Sequence, residues 1–127
     1  MDENYKLYKI AFETKQNAYA PYSNFHVGAA VLTSDKAIFT GVNIENASFG
    51  ATICAERVAI FKAISESKAK ITKIAIASDY NDFTYPCGIC RQVMAEFMQE
   101  GIIILGNNFE LKTFTIAELI PSSFVLK

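Results

Sequence analysis

The sequence lacks several features that would place it in particular protein classes. Its longest apolar runs, such as Ile102-Ile103-Ile104-Leu105, are far shorter than the roughly 20 residues that cross a bilayer. Its opening residues, 1–4, do not show the basic and then apolar pattern of a secretory leader. We therefore expect a cytoplasmic protein without a membrane partner.

The sequence also has little net charge, with a formal value of −1 at pH 7. The lysines in and after the second predicted helix are scattered and mixed with Glu66, as on a solvated face. Because no basic stripe or channel stands out, we expect no nucleic-acid partner.

Cysteine is scarce, and its number is odd. Three cysteines without a secretory leader do not make a disulfide scaffold. All three lie in two short stretches, 52–57 and 85–92. Cys87 and Cys90 alone could form a redox pair, but this interpretation leaves Cys54 and the nearby Glu56 without a role.

The same residues can form a catalytic zinc site. Three thiolates, from Cys54, Cys87 and Cys90, can hold one Zn²⁺ per chain and leave its fourth position for water. Glu56 is the only carboxylate in either stretch, and a carboxylate beside that water can move its proton. The sequence therefore predicts a zinc hydrolase.

The hydrophobic periodicity predicts a single α/β domain over residues 1–127. Helices are expected over 2–18, 54–67, 87–99 and 115–120, and strands over 26–33, 37–44, 71–78, 102–105 and 109–115. Ser34-Asp35-Lys36 and Gly106-Asn107-Asn108 are short turn signals between paired strands. We expect a three-layer α/β/α sandwich with a five-stranded mixed sheet, its last two strands antiparallel.

This arrangement places the cysteines at the beginnings of two helices. Cys87 and Cys90 are three residues apart and share a face, so both can bind one ion. The positive ends of the helices favour the thiolate form. Three thiolates and Zn²⁺ sum to a negative site, whose charge Arg57 or Arg91 could offset.

The motifs resemble those of the zinc deaminases, in which a ligand-x-Glu motif precedes Pro-Cys-x-x-Cys. Here these are Cys54-Ala55-Glu56 and Pro86-Cys87-Gly88-Ile89-Cys90. With the further stretches 20–30, 43–48 and 119–124, the chain resembles the small homotetrameric cytidine deaminases over essentially its whole length. The resemblance implies hydrolysis of cytidine, and of deoxycytidine, to uridine or deoxyuridine plus ammonia in pyrimidine salvage.

The resemblance also implies roles for individual residues. Zinc would be bound by the three cysteines, with Glu56 as the proton shuttle and Arg57 relieving the thiolate charge. The nucleoside would contact Phe25 through its base, Asn43 and Glu45 through its ribose hydroxyls, and the backbone at Ala55. Active sites shared between subunits of a homotetramer would include Ala47, Phe49 and Phe124. Phe49 stands where the family commonly has tyrosine, whose hydroxyl it lacks.

Other interpretations stay open at this point. The substrate could be another aminopyrimidine nucleoside such as blasticidin S. Alternatively, His26 could be a fourth ligand of a closed, non-catalytic zinc site, which would leave Glu56 idle. Asn43 and Glu45 could be turn and capping residues, and Phe25 and Phe124 core aromatics.

Overall fold

The computed structural model describes residues 2–107 and 109–126 of the chain. Its elements are α1 (Glu3–Thr14), β1 (Val27–Thr33), β2 (Ile38–Val42), α2 (Ala55–Glu66), β3 (Ile71–Ser78), α3 (Gly88–Phe97), β4 (Ile102–Gly106), β5 (Leu111–Thr115) and α4 (Ile116–Leu119). Two 3₁₀ turns, Lys15–Asn17 and Phe49–Ala51, lie in the connections.

The strands form one mixed sheet in the order β2-β1-β3-β4-β5. Only the β3–β4 pair is parallel, and α3 lies in the connection between these two strands. The predicted mixed sheet is confirmed, as is the antiparallel pairing of its last two strands.

Alternating side chains divide the sheet into two faces. Packed with α1 on one face are Ala30, Leu32, Ala75, Ala77 and Ile104. Packed with α2, α3 and α4 on the other are Ala29, Val31, Ile74, Ile76, Ile103 and Leu105. The predicted three-layer arrangement is therefore confirmed. Each fully buried isoleucine of this core contributes about 2 kcal/mol to folding.

Helix α1 lies unusually close to the sheet. A Cβ atom at Gly28 would come within 2.1 Å of the carbonyl oxygen of Ala11, so only glycine fits at this crossing. The three alanines on this face likewise allow close packing. The first turn of α1 is capped by Asp2, whose side chain accepts from the backbone N–H of Tyr5.

Some element ends differ from the prediction. Helix α1 ends at Thr14 rather than near Ala18, because the chain tightens into a 3₁₀ turn. Strand β5 begins at Leu111 rather than Phe109, since Asn107 Oδ1 accepts the N–H groups of residues 109 and 110 at 2.8 Å and forms a turn. Asn108, part of the predicted turn signal, lies outside the described residues.

None of the helices in residues 2–107 and 109–126 has the length and apolar character that a membrane span requires.

Candidate active site

Two cysteines immediately precede the helices whose N-termini lie at the site. Cys54 is the N-cap of α2 and Cys87 the N-cap of α3, both with extended backbone. Cys90 is the third residue of α3. An N-cap side chain points toward the third helical residue, as in a capping box, so Cys87 and Cys90 lie together at the start of one helix.

The spacing of the three sulfur atoms fits a zinc ion. The Sγ atoms of Cys54 and Cys87 are 3.7 Å apart, those of Cys87 and Cys90 are 3.5 Å apart, and all three lie within 4.8 Å of one another. Tetrahedral zinc with bonds of about 2.3 Å to sulfur places its ligands about 3.8 Å apart. Soft thiolate ligands also favour zinc over magnesium or calcium. These residues can therefore hold the metal.

The geometry does not favour the closed site with a histidine ligand. Within the part of the chain that the structure describes, no histidine or carboxylate joins the three cysteines in a group of metal-binding size. His26 instead has its Nδ1 atom 2.7 Å from Asp79 Oδ2. Three protein ligands leave a fourth position free for water or substrate.

The thiols differ in how readily they ionise. A hydrogen bond from Cys90, assisted by Arg57 and Cys87, outweighs partial burial and lowers the pKa of Cys54 to about 5. The same Cys54–Cys90 hydrogen bond, together with burial, raises the pKa of Cys90. The Cys90 thiol thus retains its proton, which a metal ion must displace on binding.

Glu56 is the second residue of α2 and only 5% exposed. Burial raises the pKa of its carboxyl group to about 7, and the neighbouring Cys54 sulfur adds to the rise. A group with a pKa near neutrality can both accept and donate a proton. Glu56 lies close to the sulfur cluster without being one of its ligand groups.

The two candidate arginines have different surroundings. Arg57 Nη2 donates to Cys54 Sγ at 3.5 Å and so places positive charge beside a thiolate. Arg91 instead donates to two backbone carbonyls, through Nε to Pro86 at 2.7 Å and through Nη1 to Leu119 at 2.8 Å. Arg91 therefore ties the loop before Cys87 to the end of α4.

The loop that contains Asn43 and Glu45 lies next to the first cysteine. Ile44 and Ile53 exchange two backbone hydrogen bonds of 3.0 Å, immediately before Cys54. On the other side, Tyr19 N donates to Asn43 O at 3.0 Å and Glu45 N donates to Tyr19 O at 2.9 Å. Three separate motifs of the sequence are thus brought to one place.

The side chains of Asn43 and Glu45 hold the loop that carries Phe25. Asn43 Nδ2 donates to Phe25 O at 2.8 Å, and Asn43 Oδ1 accepts from Val27 N at 2.9 Å. Glu45 accepts the backbone N–H groups of residues 22 and 23 and the hydroxyl of Ser23. The Ser23 hydroxyl lowers the pKa of Glu45, so this carboxylate stays ionised and remains a hydrogen-bond acceptor.

The remaining predicted residues have different surroundings. Ala55 is fully buried at the start of α2, where backbone N–H groups have no intrahelical partner. Ala47 is exposed. Phe49 is 75% exposed and contacts Tyr22 edge-on, with ring centroids 5.9 Å apart. Phe124 is 70% exposed, and its carbonyl accepts from Gln92 Nε2. Phe124 is therefore no core aromatic.

Sequence reasoning missed two residues that contact this region. Asp79 binds His26, and Tyr80 packs on Phe25 with ring centroids 4.5 Å apart. Both follow β3 directly, and a polar residue at the end of a buried strand was the one signal that could have drawn attention to Asp79.

Comparisons with known proteins agree with this geometry. A family model described as the cytidine and deoxycytidylate deaminase zinc-binding region matches residues 1–106. A cytidine deaminase of Halalkalibacterium halodurans is 46% identical over 120 residues, which cover 93% of this chain and 91% of that protein. A blasticidin-S deaminase of Bacillus cereus is 30% identical over 130 residues, which cover 96% of this chain and 92% of that protein.

The structural comparison extends the likeness to nearly the whole chain. A crystal structure of cytidine deaminase from Burkholderia pseudomallei superposes with a TM-score of 0.89 at 36% sequence identity. The superposition covers 98% of this chain and 100% of the other.

Proposed function

Because this chain belongs to the cytidine and deoxycytidylate deaminase family, we propose that it hydrolyses cytidine to uridine and ammonia in a zinc-dependent reaction. The observation that carries the proposal is the placement of three sulfur atoms at zinc-binding distances beside a buried carboxylate that is outside their ligand group. A structural zinc site would have no use for such a carboxylate.

Cys54, Cys87 and Cys90 are the proposed ligands of one zinc ion per chain. When bound, a zinc ion with three protein ligands supplies an acidified water for attack on a carbon centre. Arg57 would offset part of the negative charge of the three sulfurs through its contact with Cys54.

Glu56 is the proposed catalytic acid and base. Its carboxylate would accept a proton from the attacking water and donate it to N3 of the base. It would then accept the second proton from the oxygen newly bonded to C4 and donate it to the departing amino group. Water supplies the oxygen that forms the new carbonyl, and the broken C4–N bond releases ammonia. A buried carboxyl with a pKa near 7 is suited to both steps.

The loop beside Cys54 is the proposed nucleoside site. Phe25 would pack against the pyrimidine, the backbone at Ala55 would contact it, and Asn43 and Glu45 would bind the ribose hydroxyls. The ionised state of Glu45 supports this role, since a carboxylate is a strong acceptor for hydroxyl groups. Both side chains also hold the Phe25 loop, so binding and loop placement would depend on the same residues.

The wider setting of the enzyme is proposed from the family. The chain would act as one domain, in the cytoplasm, within a homotetramer whose active sites are completed by Ala47, Phe49 and Phe124 from adjoining subunits. The high exposure of the two phenylalanine rings supports a partner surface there. Deoxycytidine would be a second substrate, and the reaction would serve pyrimidine salvage.

The direct test is to follow the ultraviolet absorbance of cytidine in the presence of purified protein, with ammonia measured in parallel. We expect conversion that stops when a chelator removes the metal and returns on addition of zinc. A protein that carries one zinc per chain and leaves cytidine unchanged would contradict the proposal.

The identity with a blasticidin-S deaminase favours a second candidate, a cytosine base on a different sugar. Assays with blasticidin S and with deoxycytidine, run beside cytidine at equal concentration, separate the candidates. We expect cytidine to have the highest kcat/KM. Faster turnover of blasticidin S would transfer the assignment to that substrate.

A further inference from the structure

Two consecutive residues after β3 contact two consecutive residues of the loop before β1. Asp79 Oδ2 accepts from the backbone N–H of His26 at 2.8 Å and lies 2.7 Å from His26 Nδ1. The ring of Tyr80 packs on that of Phe25, with centroids 4.5 Å apart and planes inclined by 43°. We refer to Asp79 and Tyr80 as the clamp.

Asp79 is held from a second direction as well. Its Oδ1 atom accepts from Lys15 Nζ at 2.9 Å, so both carboxylate oxygens are engaged. The Lys15 side chain is 17% exposed and that of Asp79 33%. Partial burial raises the pKa of Asp79, but the hydrogen bonds from Lys15 and His26 outweigh it and lower the pKa to about 2. The Asp79 carboxylate is thus ionised at neutral pH.

The loop that carries Phe25 lies between the clamp and Asn43 and is held by hydrogen bonds on both sides. Asn43 binds the carbonyl of Phe25 and the N–H of Val27, and Asp79 binds the residue between them. Asn43 belongs to the chain segment that precedes Cys54. Asp79 begins the loop that leads to Cys87, and this loop is itself anchored by the contact of Tyr85 with Phe114. The loop of Phe25 therefore touches the chain segments before two metal ligands.

We propose that Asp79 is a positioning residue that sets the placement of Phe25 against the nucleoside base, through its contacts with His26 and the packing of the adjacent Tyr80 on Phe25. The inference rests on the proposed function, since it concerns how tightly that site holds its substrate. Asp79 does not touch the reacting atoms in this role, so its loss should weaken binding and leave the chemical step nearly unchanged.

The experiment compares D79A with D82A, the same substitution in the same loop. Asp82 is exposed, and its described contact is a local hydrogen bond to the N–H of Phe83. We expect D79A to raise KM for cytidine about tenfold with kcat within about twofold of the unsubstituted protein, because loosened placement weakens binding. D82A should leave both constants unchanged, and zinc content should be equal in all three proteins.

Y80S and K15M extend the test, should D79A fold poorly. Tyr80 is 64% exposed, so its replacement removes the contact with Phe25 and hardly disturbs the packing of the core. We expect each variant to raise KM about threefold with kcat preserved. His26 is the sole histidine, so its ring proton signals in an NMR spectrum report independently on the contact with Asp79. These signals should shift in D79A and stay in place in D82A.

Several outcomes would overturn the inference. Unchanged KM in D79A and Y80S, a loss of kcat without a change in KM, or loss of zinc from D79A would each contradict a role in substrate placement. If the unsubstituted protein and D82A convert cytidine, these results count against the inference alone. If the unsubstituted protein carries zinc and converts no cytidine, the proposed function and this inference both fail.

Discussion

Helices α1 and α4 begin differently from α2 and α3. Asp2 caps α1 by accepting from Tyr5 N at 2.9 Å. At α4, Thr115 and Glu118 form a reciprocal capping box. Cys54 and Cys87 occupy the equivalent positions of α2 and α3, yet neither makes a side-chain capping bond. Their sulfur atoms approach each other instead.

The difference shows that α2 and α3 lack the stabilisation that a side-chain cap gives to α1 and α4. A serine, threonine or aspartate cap stabilises a helix by about 1 kcal/mol. Without one, the positive ends of α2 and α3 lie beside the sulfurs, where they favour negative charge. The N-termini of α2 and α3 thus present sulfur atoms that can hold a metal ion, whereas the caps of α1 and α4 stabilise their helices.

The largest effect is expected from E56Q, at the start of α2. It removes the group proposed to carry the proton, so kcat for cytidine should fall about 10³-fold. Zinc content should stay the same, because Glu56 is outside the ligand group. E66Q, at the exposed far end of the same helix, is the control and should be fully active. Steady-state kinetics with metal analysis check both, and near-normal turnover by E56Q would contradict its role.

A smaller effect is expected from R57Q. The guanidinium of Arg57 hydrogen-bonds to Cys54, and its loss makes the thiolate less favourable. Zinc affinity should fall between about 10-fold and 100-fold, as for other groups that hydrogen-bond to metal ligands. Competition with a chelating dye measures this, and K68Q serves as a matched loss of charge outside the site. Equal zinc affinity in R57Q and the unsubstituted protein would contradict the role of Arg57 in stabilising the Cys54 thiolate.

The caps of the other helices should respond in a different way. T115A removes the capping box of α4 and should lower the free energy of unfolding by about 1 kcal/mol. T115S, which keeps the hydroxyl, should restore most of it. Denaturant unfolding should give the same loss with and without zinc, because α4 holds no metal ligand. A loss that depended on zinc would mean that α4 and the metal site are not independent.

Much of the site could be predicted because its metal-binding residues lie at short, characteristic spacings in the sequence. Cys87 and Cys90 stand three residues apart after a proline, which determines both the helix start and the shared face. Strand β3 matches its predicted range, 71–78, since an apolar run covered on both faces is distinctive. The predicted zinc ligand group follows from these features and is what the structure brings together.

The rest depends on tertiary contacts that no local pattern records. Asp79 and His26 are far apart in the sequence, and their contact follows from the pairing of Val27 with Ser78 in the sheet. The predicted end of α1 near Ala18 is too late, because the chain tightens into a 3₁₀ turn at Lys15–Asn17 and Ala18 itself has extended backbone. The predicted helices begin at Cys54 and Cys87, but both residues have extended backbone and are N-caps. The sequence pattern does not distinguish a cap from the first helical residue.

The most direct test is whether α2 and α3 give up a capping bond in exchange for metal binding. The experiment compares the unfolding of C87S with that of the unsubstituted protein, with and without zinc, under reducing conditions. Cys87 is exposed, so the substitution disturbs no core packing. Without zinc, serine at this N-cap should make C87S more stable by about 0.5–1 kcal/mol. With zinc, C87S should be the less stable protein, because it has lost a ligand. If the same protein were the more stable one both with and without zinc, the exchange of capping for metal binding would be contradicted.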